Sequence, residues 1–332
     1  KCMKRMLSGI KPTGELTLGN YLGALKNFVS YQDEYEMFVF IANLHTITVY
    51  QEPAKLRNYL KDAVALYLAS GLNPDKATIF LQSDVLEHAQ LGFILSCNTY
   101  LGEMNRMTQY KDKSSQQDAT ITVGFYTYPT LMAADILIYD ADFVPVGNDQ
   151  KQHVEIARDI AERFNNRYSP TFTVPEPLIP IAGARIMSLS EPTKKMSKSD
   201  HDDKGVLYML DSPDVIKKKI MSAKTDSIGK ISYDPEHQPG ISNLLQIVAA
   251  CKSLPILHVL DQVSHYNYGE FKAYVADVVI ETLQPIQQRY KQIIQSDSIH
   301  EVLEQGKEKV AKIAYKKLAK VQRKIGIEIR KK

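Results

Sequence analysis

The sequence predicts an α/β fold, a parallel sheet covered by helices on both faces and followed by a smaller, all-helical region. Three observations lead there. Apolar runs of buried-strand length recur at Met6–Ile10, Met37–Ile41 and Ala77–Leu81. The segments between them carry apolar residues at helical spacing. Beyond Asp211 the strand signals fade and helical periodicity dominates. Strands that alternate with helices pair in parallel, because each crossover helix carries the chain back to the same end of the sheet.

Taken in order, Met6–Ile10 is the first strand, and a helix runs from Gly19 to Phe28. Met37–Ile41 is the second strand. Pro53 sits where a first helical turn tolerates proline. Leu56, Leu60, Ala63, Val64, Tyr67 and Leu68 then recur at helical spacing, with Gly71 as the C-terminal stop. Ala77–Leu81 is the third strand. Glu87 to Met107 and Pro129 to Tyr139 read as helices joined by a polar surface loop, Lys111 to Asp118. Phe143–Gly147 is a short strand ending in glycine, and Asp149 to Tyr168 is a long amphipathic helix. A connector bearing Pro170, Pro175, Pro177 and Pro180 precedes the helical part. The boundary falls near residue 200, dividing 1–200 from 201–332. No internal repeat or low-complexity tract interrupts the pattern.

The 332 residues, 44% hydrophobic and 24% charged, suffice for a sizeable core and two domains. Apolar stretches fall short of the roughly 20 residues of a membrane span, and no secretory signal opens the chain. Lys1–Cys2 reads as a trimmed or engineered end. Cys2, Cys97 and Cys251 share no CxxC spacing and the histidines form no ligand cluster, so no metal site is expected and a reducing compartment fits. The formal charge is +3 but uneven. From Lys307 to Lys332 there are 11 basic and 2 acidic residues, a local +9, against −6 for the remainder. Such asymmetry suits a polyanionic partner or a solvated helix face.

Two segments carry the chemistry. Pro12-Thr13-Gly14 and Thr17-Leu18-Gly19-Asn20 follow the first strand directly and open a helix. A helix N-terminus offers unpaired N–H groups and the positive end of a dipole, which suits phosphate. Gly19 bares the backbone for adenine or ribose, or else permits close packing with Gly23. Thr17 and Asn20 can donate to phosphate oxygens. Neither GxxxxGK[ST] nor GxGxxG is present, which excludes a Walker NTPase and a dinucleotide oxidoreductase. The second segment is Lys195-Met196-Ser197-Lys198-Ser199. Two lysines three apart in a serine-bearing loop suit a polyphosphate whose charge grows as a bond breaks. Together the segments point to an enzyme that splits ATP. Asp135 stands in an otherwise apolar helix, Leu131–Ile138. Burying that carboxylate demands donors, whether a core cation or a substrate.

Pro12–Gly14 with Thr17–Asn20 is similar to the HIGH-type motif of class I aminoacyl-tRNA synthetases, and Lys195–Ser199 matches their KMSKS motif letter for letter. Ser8–Gly14, Tyr128-Pro129 with Met132–Asp135, Gly147–Gln150 and Gly183–Met187 resemble the bacterial-type tryptophanyl branch, and the likeness runs from Met6 onward. That resemblance implies a Rossmann-like catalytic domain with a dimerisation insertion, a helical anticodon-binding domain, and a cytoplasmic homodimer without membrane attachment. It implies L-tryptophan, ATP with Mg²⁺ and tRNA(Trp) as substrates. Lys195, Lys198, Thr17 and Asn20 would be catalytic. ATP would meet Lys11, Pro12, Thr13, Gly19, Asn20, Gly147, Asn148, Asp149, Ile186, Lys195, Met196, Ser197, Lys198 and Ser199, with Lys111 and Lys113 reaching the triphosphate.

By the same resemblance Asp135 accepts the indole N–H, and Tyr128 and Gln150 hold the α-amino group. Leu7, His45, Met132, Val144 and Val146 line the indole pocket, although His45 reads equally as a hydrogen-bonded core histidine. Leu7 and Asn43 depart from the phenylalanine and aspartate common in the family. A tyrosyl-tRNA synthetase and a catalytically silent RNA-binding paralogue are the alternatives. In the last 26 residues, Val310, Ala314, Leu318, Val321 and Ile325 form a docking stripe. Lys309, Lys312, Lys316, Lys320, Arg323 and Lys324 fall on the other faces, where they suit phosphate backbone.

Overall fold

A computed structural model describes residues 3–12, 14–107, 121–147, 151–179, 185–197 and 202–329. Thr13, Lys111, Lys113, Asn148, Asp149, Gln150, Lys198 and Ser199 lie outside the described residues.

Five strands, β1 (Arg5–Ile10), β2 (Glu36–Ile41), β3 (Ala77–Leu81), β4 (Phe143–Pro145) and β5 (Glu176–Leu178), form one sheet in the order β3-β2-β1-β4-β5. Every pairing is parallel, with Met6 opposite both Met37 and Phe143. The strands are apolar on both sides because both faces are covered. Alternate residues feed separate cores. Met6, Met37, Val39, Ile41, Ala77 and Ile79 point into one, and Leu7, Phe38, Phe40 and Phe80 into the other.

On the first face lie α1 and α2 (Pro53–Ala69). Helix α1 is three consecutive pieces, Leu18–Asn20, a π-helical turn at Tyr21–Leu25, and Lys26–Tyr31. The second face is covered by α3 (Glu87–Ser96), α4 (Val123–Leu137) and α5 (Lys151–Tyr168). The helix expected over Glu87–Met107 stops at Ser96 and resumes only as a turn at Leu101–Met104. Helix α4 begins six residues before Pro129, at Val123, where the Thr122 hydroxyl caps the Phe125 N–H at 3.1 Å.

The C-terminal part is helical, as expected, with α6 (Pro239–Lys252), α7 (Tyr268–Ile294) and α8 (Ser298–Ile325) as its main members. It does not stand apart from the sheet. Helix α8 returns across the edge strand β3. Ile299 packs in the first core and Val310, Ala314, Leu318 and Val321 in the second, so the docking stripe is buried. At the crossing sits Gly306, where a Cβ would lie 1.9 Å from the Ile79 carbonyl oxygen. Lys317 is buried too, and donates to Asp140 Oδ1 at 2.6 Å and to the Thr171 carbonyl at 2.9 Å. No single helix among the described residues is long and apolar enough to cross a membrane.

Candidate active site

The strand order reverses between β1 and β4, whose carboxyl ends lie side by side in the sheet. In open parallel sheets this is where ligands bind. Gly9 lies at that end of β1, pressed so close to β2 that a Cβ would meet the Phe40 carbonyl oxygen at 2.6 Å. Half-buried Lys11 and buried Pro12 follow on one side, and Val146 with exposed Gly147 on the other. Gly14 turns the chain at φ 71°, a conformation that favours glycine.

Thr17 opens α1 as its N-cap. Its N–H donates to Asn20 Oδ1 at 3.0 Å, its hydroxyl donates to the same oxygen at 3.1 Å, and the Asn20 N–H donates back to the hydroxyl at 3.1 Å. The buried Thr17 hydroxyl is therefore committed to the cap rather than turned outward to a phosphate, and it shapes the helix start that would hold one. With Oδ1 engaged by Thr17, the amide nitrogen of Asn20 faces the other way.

The second motif comes back to this helix start. Lys195 bridges Met187, and the Met196 N–H donates to the Ile186 carbonyl at 3.0 Å, making a tight hairpin. Buried Ile186 and Met196 face Gly19. A Cβ on Gly19 would lie 3.7 Å from Cβ of Ile186 and 3.9 Å from Cβ of Met196. Two backbone bonds tie the first segment to the stretch beyond the second, Leu18 N–H to Leu207 O at 2.8 Å and Met209 N–H to Leu16 O at 2.9 Å. From α6, buried Asn243 clamps the hairpin, accepting from the Met187 N–H at 2.8 Å and donating to its carbonyl at 2.9 Å. Lys195 is exposed at the hairpin, and Ser197 half-buried. The basic and amide side chains that the two motifs carry among the described residues, Lys11, Asn20 and Lys195, are donors. They suit phosphate oxygens and not a bare cation.

On the opposite face of the sheet the second cluster assembles around Asp135, which α4 buries completely. Its Oδ1 takes bonds from Gln82 Nε2 at 2.8 Å and His88 Nδ1 at 2.6 Å. Its Oδ2 takes bonds from His45 Nε2 at 2.7 Å and Gln82 Nε2 at 3.0 Å. Burial alone would raise the Asp135 carboxyl. The charge and hydrogen bond of His45, with the hydrogen bond of His88, outweigh it and hold the group below the ordinary carboxylate range. The partners that Asp135 finds in the core are two histidines and a glutamine, not a lysine or an arginine.

Tyr128 lies beside His45, ring centroids 6.1 Å apart, and its hydroxyl meets His153 Nε2 at 2.5 Å. Leu7 and Val144 belong to this same core, with Met132 and Val146 packed against it. All the described residues expected around an amino-acid side chain therefore share one face. Of those expected around a nucleotide, Gly19, Ile186 and Met196 meet on the other face, and Lys11, Pro12 and Gly147 follow the carboxyl ends of β1 and β4. Gln82, His88 and Tyr139 were not singled out by the sequence. Their role follows from a turn and a helix that fold back on Asp135, and no local pattern marks it.

The family model for class I tRNA synthetases (W and Y) matches residues 3–284. The tryptophan–tRNA ligase of Oceanobacillus iheyensis is 53% identical over 325 residues, 98% of this chain and 99% of that protein. The crystal structure of tryptophanyl-tRNA synthetase from Mycoplasma pneumoniae superposes with a TM-score of 0.88 at 38% identity, covering 98% of both chains. That of the Campylobacter jejuni enzyme, complexed with ADP and tryptophan, gives 0.83 at 36% identity, over 97% of this chain and 99% of that one.

Proposed function

The chain belongs to the class I tRNA synthetases (W and Y), and from that membership we infer that it activates L-tryptophan with ATP and esterifies tRNA(Trp) with it. The observation that carries this reading is the meeting of Gly19 with Ile186 and Met196. It joins two phosphate-type motifs, remote in sequence, on one face of a sheet whose other face buries a carboxylate. The near-full-length relatives at about half identity are tryptophan–tRNA ligases, which disfavours a tyrosine-specific enzyme.

The reaction follows from position and charge. A carboxylate oxygen of tryptophan attacks the α-phosphorus in line. The bond to the β-phosphate breaks, and pyrophosphate leaves with the electron pair. A ribose hydroxyl of the tRNA terminus then attacks the adenylate carbonyl and AMP departs. Neither step needs a covalent enzyme intermediate, because alignment and electrostatic stabilisation supply the acceleration. Lys195, with Lys198 and Asn20, stabilises the charge that accumulates on the leaving pyrophosphate, and Thr17 acts by fixing Asn20 and the start of α1. Lys11, Pro12, Thr13, Gly147, Asn148, Asp149, Ser197 and Ser199 complete the nucleotide site, while Ile186 and Met196 flank the base. Mg²⁺ enters as part of the ATP substrate. Asp135 accepts the indole N–H, Tyr128 and Gln150 bind the α-amino group, and Leu7, His45, Met132, Val144 and Val146 enclose the ring.

The exposed Lys309, Lys312, Lys316, Arg323 and Lys324 of α8, with half-buried Lys320, offer phosphate contacts to the tRNA. The helical part around α6 and α7 is the place for anticodon recognition. A second copy of the chain is proposed to cover the exposed apolar side chains Leu86, Phe93, Leu101 and Val123, the last of which follows Thr122, whose hydroxyl donates to the Thr48 carbonyl at 2.8 Å beside exposed Ile47 and Tyr50. A cytoplasmic site of action goes with these substrates.

Pyrophosphate exchange into ATP, measured with each of the twenty amino acids, tests the reading: tryptophan alone should support it. Lys195→Ala should lower the exchange kcat by about 10²-fold or more, as loss of a transition-state charge contact does, with the tryptophan KM little changed. An unaltered kcat would remove Lys195 from the reaction.

A further inference from the structure

The donors around Asp135 are unequal. The His45 side chain is 12% exposed, whereas those of Asp135 and His88 are fully buried. Of these three, His45 is the one with access to solvent, and His88 has none. His88 in turn has a partner that no substrate can reach. Its Nε2 is 2.6 Å from the Tyr139 hydroxyl, and the Tyr139 ring is stacked on Phe38 at 5.4 Å and edge-on to Phe80 at 5.6 Å.

We propose that His88 and Tyr139 are positioning residues for substrate specificity: the Tyr139 hydroxyl donates to His88 Nε2, which places the imidazole proton on Nδ1 and locks Asp135 as an oriented, ionised acceptor for a ring N–H. This deepens the tryptophan reading and rests on it.

A neutral imidazole has one donor nitrogen and one acceptor nitrogen, and the partner on one side fixes which is which. Burial, and next the charge of Asp135, push the Tyr139 phenol well above its ordinary value, so it stays a donor. Were the proton instead on Nε2, a bare Nδ1 lone pair would face a carboxylate oxygen at 2.6 Å. Asp135 would then have to rotate away or take up a proton, and either change weakens it as an acceptor for the substrate. Discrimination in favour of an N–H-bearing ring comes from satisfying a buried acceptor that an analogue leaves unpaired. It is lost when that acceptor is free to turn.

The test is the ratio of kcat/KM in pyrophosphate exchange for L-tryptophan over 3-benzothienyl-alanine, an isostere with sulfur in place of the indole N–H. Asp135→Asn should collapse the ratio. Tyr139→Phe keeps both ring contacts, and should lower the ratio by up to about tenfold, the upper end of what one neutral hydrogen bond contributes, with the ATP KM unchanged. If Asp135→Asn collapses the ratio and Tyr139→Phe leaves it within twofold, the proposal fails while the assignment of Asp135 stands. If Asp135→Asn leaves it intact, both fall. Nitrogen-15 NMR of the wild-type histidines, with His88 assigned by its loss in His88→Asn, reads the tautomer without relying on a folded Tyr139 variant. Nδ1–H with an accepting Nε2 is expected, and a proton on Nε2, alone or in addition, overturns the proposal.

Discussion

Asp135 shows how far a single residue can be read. A carboxylate amid Leu131–Ile138 had to find donors, and it has them: two histidines and a glutamine donate to its two oxygens. The need for partners was legible because burying an unpaired charge is costly. Their identity was not, since Gln82, His88 and His45 reach Asp135 from three separate elements. The sign of the pH effect follows from the depressed carboxyl. Its contribution to stability is complete above the ordinary carboxylate value of about 4, and is lost as pH falls through the lower native value. Asp135→Asn sets an amide N–H against the Gln82 donor and should cost about 3 kcal/mol. Urea unfolding at pH 7 should show that difference in full, and it should shrink toward pH 3.

At the scale of elements, the strands were plain because unbroken apolar runs flanked by turn residues leave little choice in a sheet covered on both faces. Helix ends were less plain. The break after Ser96 follows no proline or glycine, and the π turn at Tyr21–Leu25 adds a residue to the coil without any mark in composition. The two motifs were legible as phosphate-type segments. Their meeting was not, because it depends on the Ile186–Met196 hairpin and on the Asn243 clamp from a helix far along the chain. Gly306 gives this scale its sharpest test. A methyl group there would sit 1.9 Å from a strand carbonyl, which has no rotamer with which to yield. Gly306→Ala should push α8 off β3 and cost about 3 kcal/mol or more, visible as a lowered unfolding midpoint in calorimetry.

Across the whole molecule, the amino-acid cluster and the nucleotide segments lie on opposite faces of one sheet and converge where its order reverses. The βαβαβ start of the chain announced the parallel sheet, and the apolar stripe of α8 announced that this helix docks. Where it docks was not announced: a linear boundary near residue 200 cannot express a terminal helix that packs with the opening strands. The exposed apolar side chains Leu86, Phe93, Leu101 and Val123 are the part of the surface that a lone chain leaves unfavourably in water. Phe93→Glu should convert the proposed homodimer to a monomer in sedimentation-equilibrium runs at micromolar concentration. A wild-type chain that sediments as a monomer there would remove the dimer.

The return of α8 across β3 also sets an order of events during synthesis. Domains made on the ribosome tend to settle from the amino terminus as they emerge. Here the first strands translated must wait, one margin of their sheet bare, until the carboxyl-terminal helix clears the exit tunnel. A nascent chain halted before that helix would be a natural client for chaperones that shield unpaired strand edges.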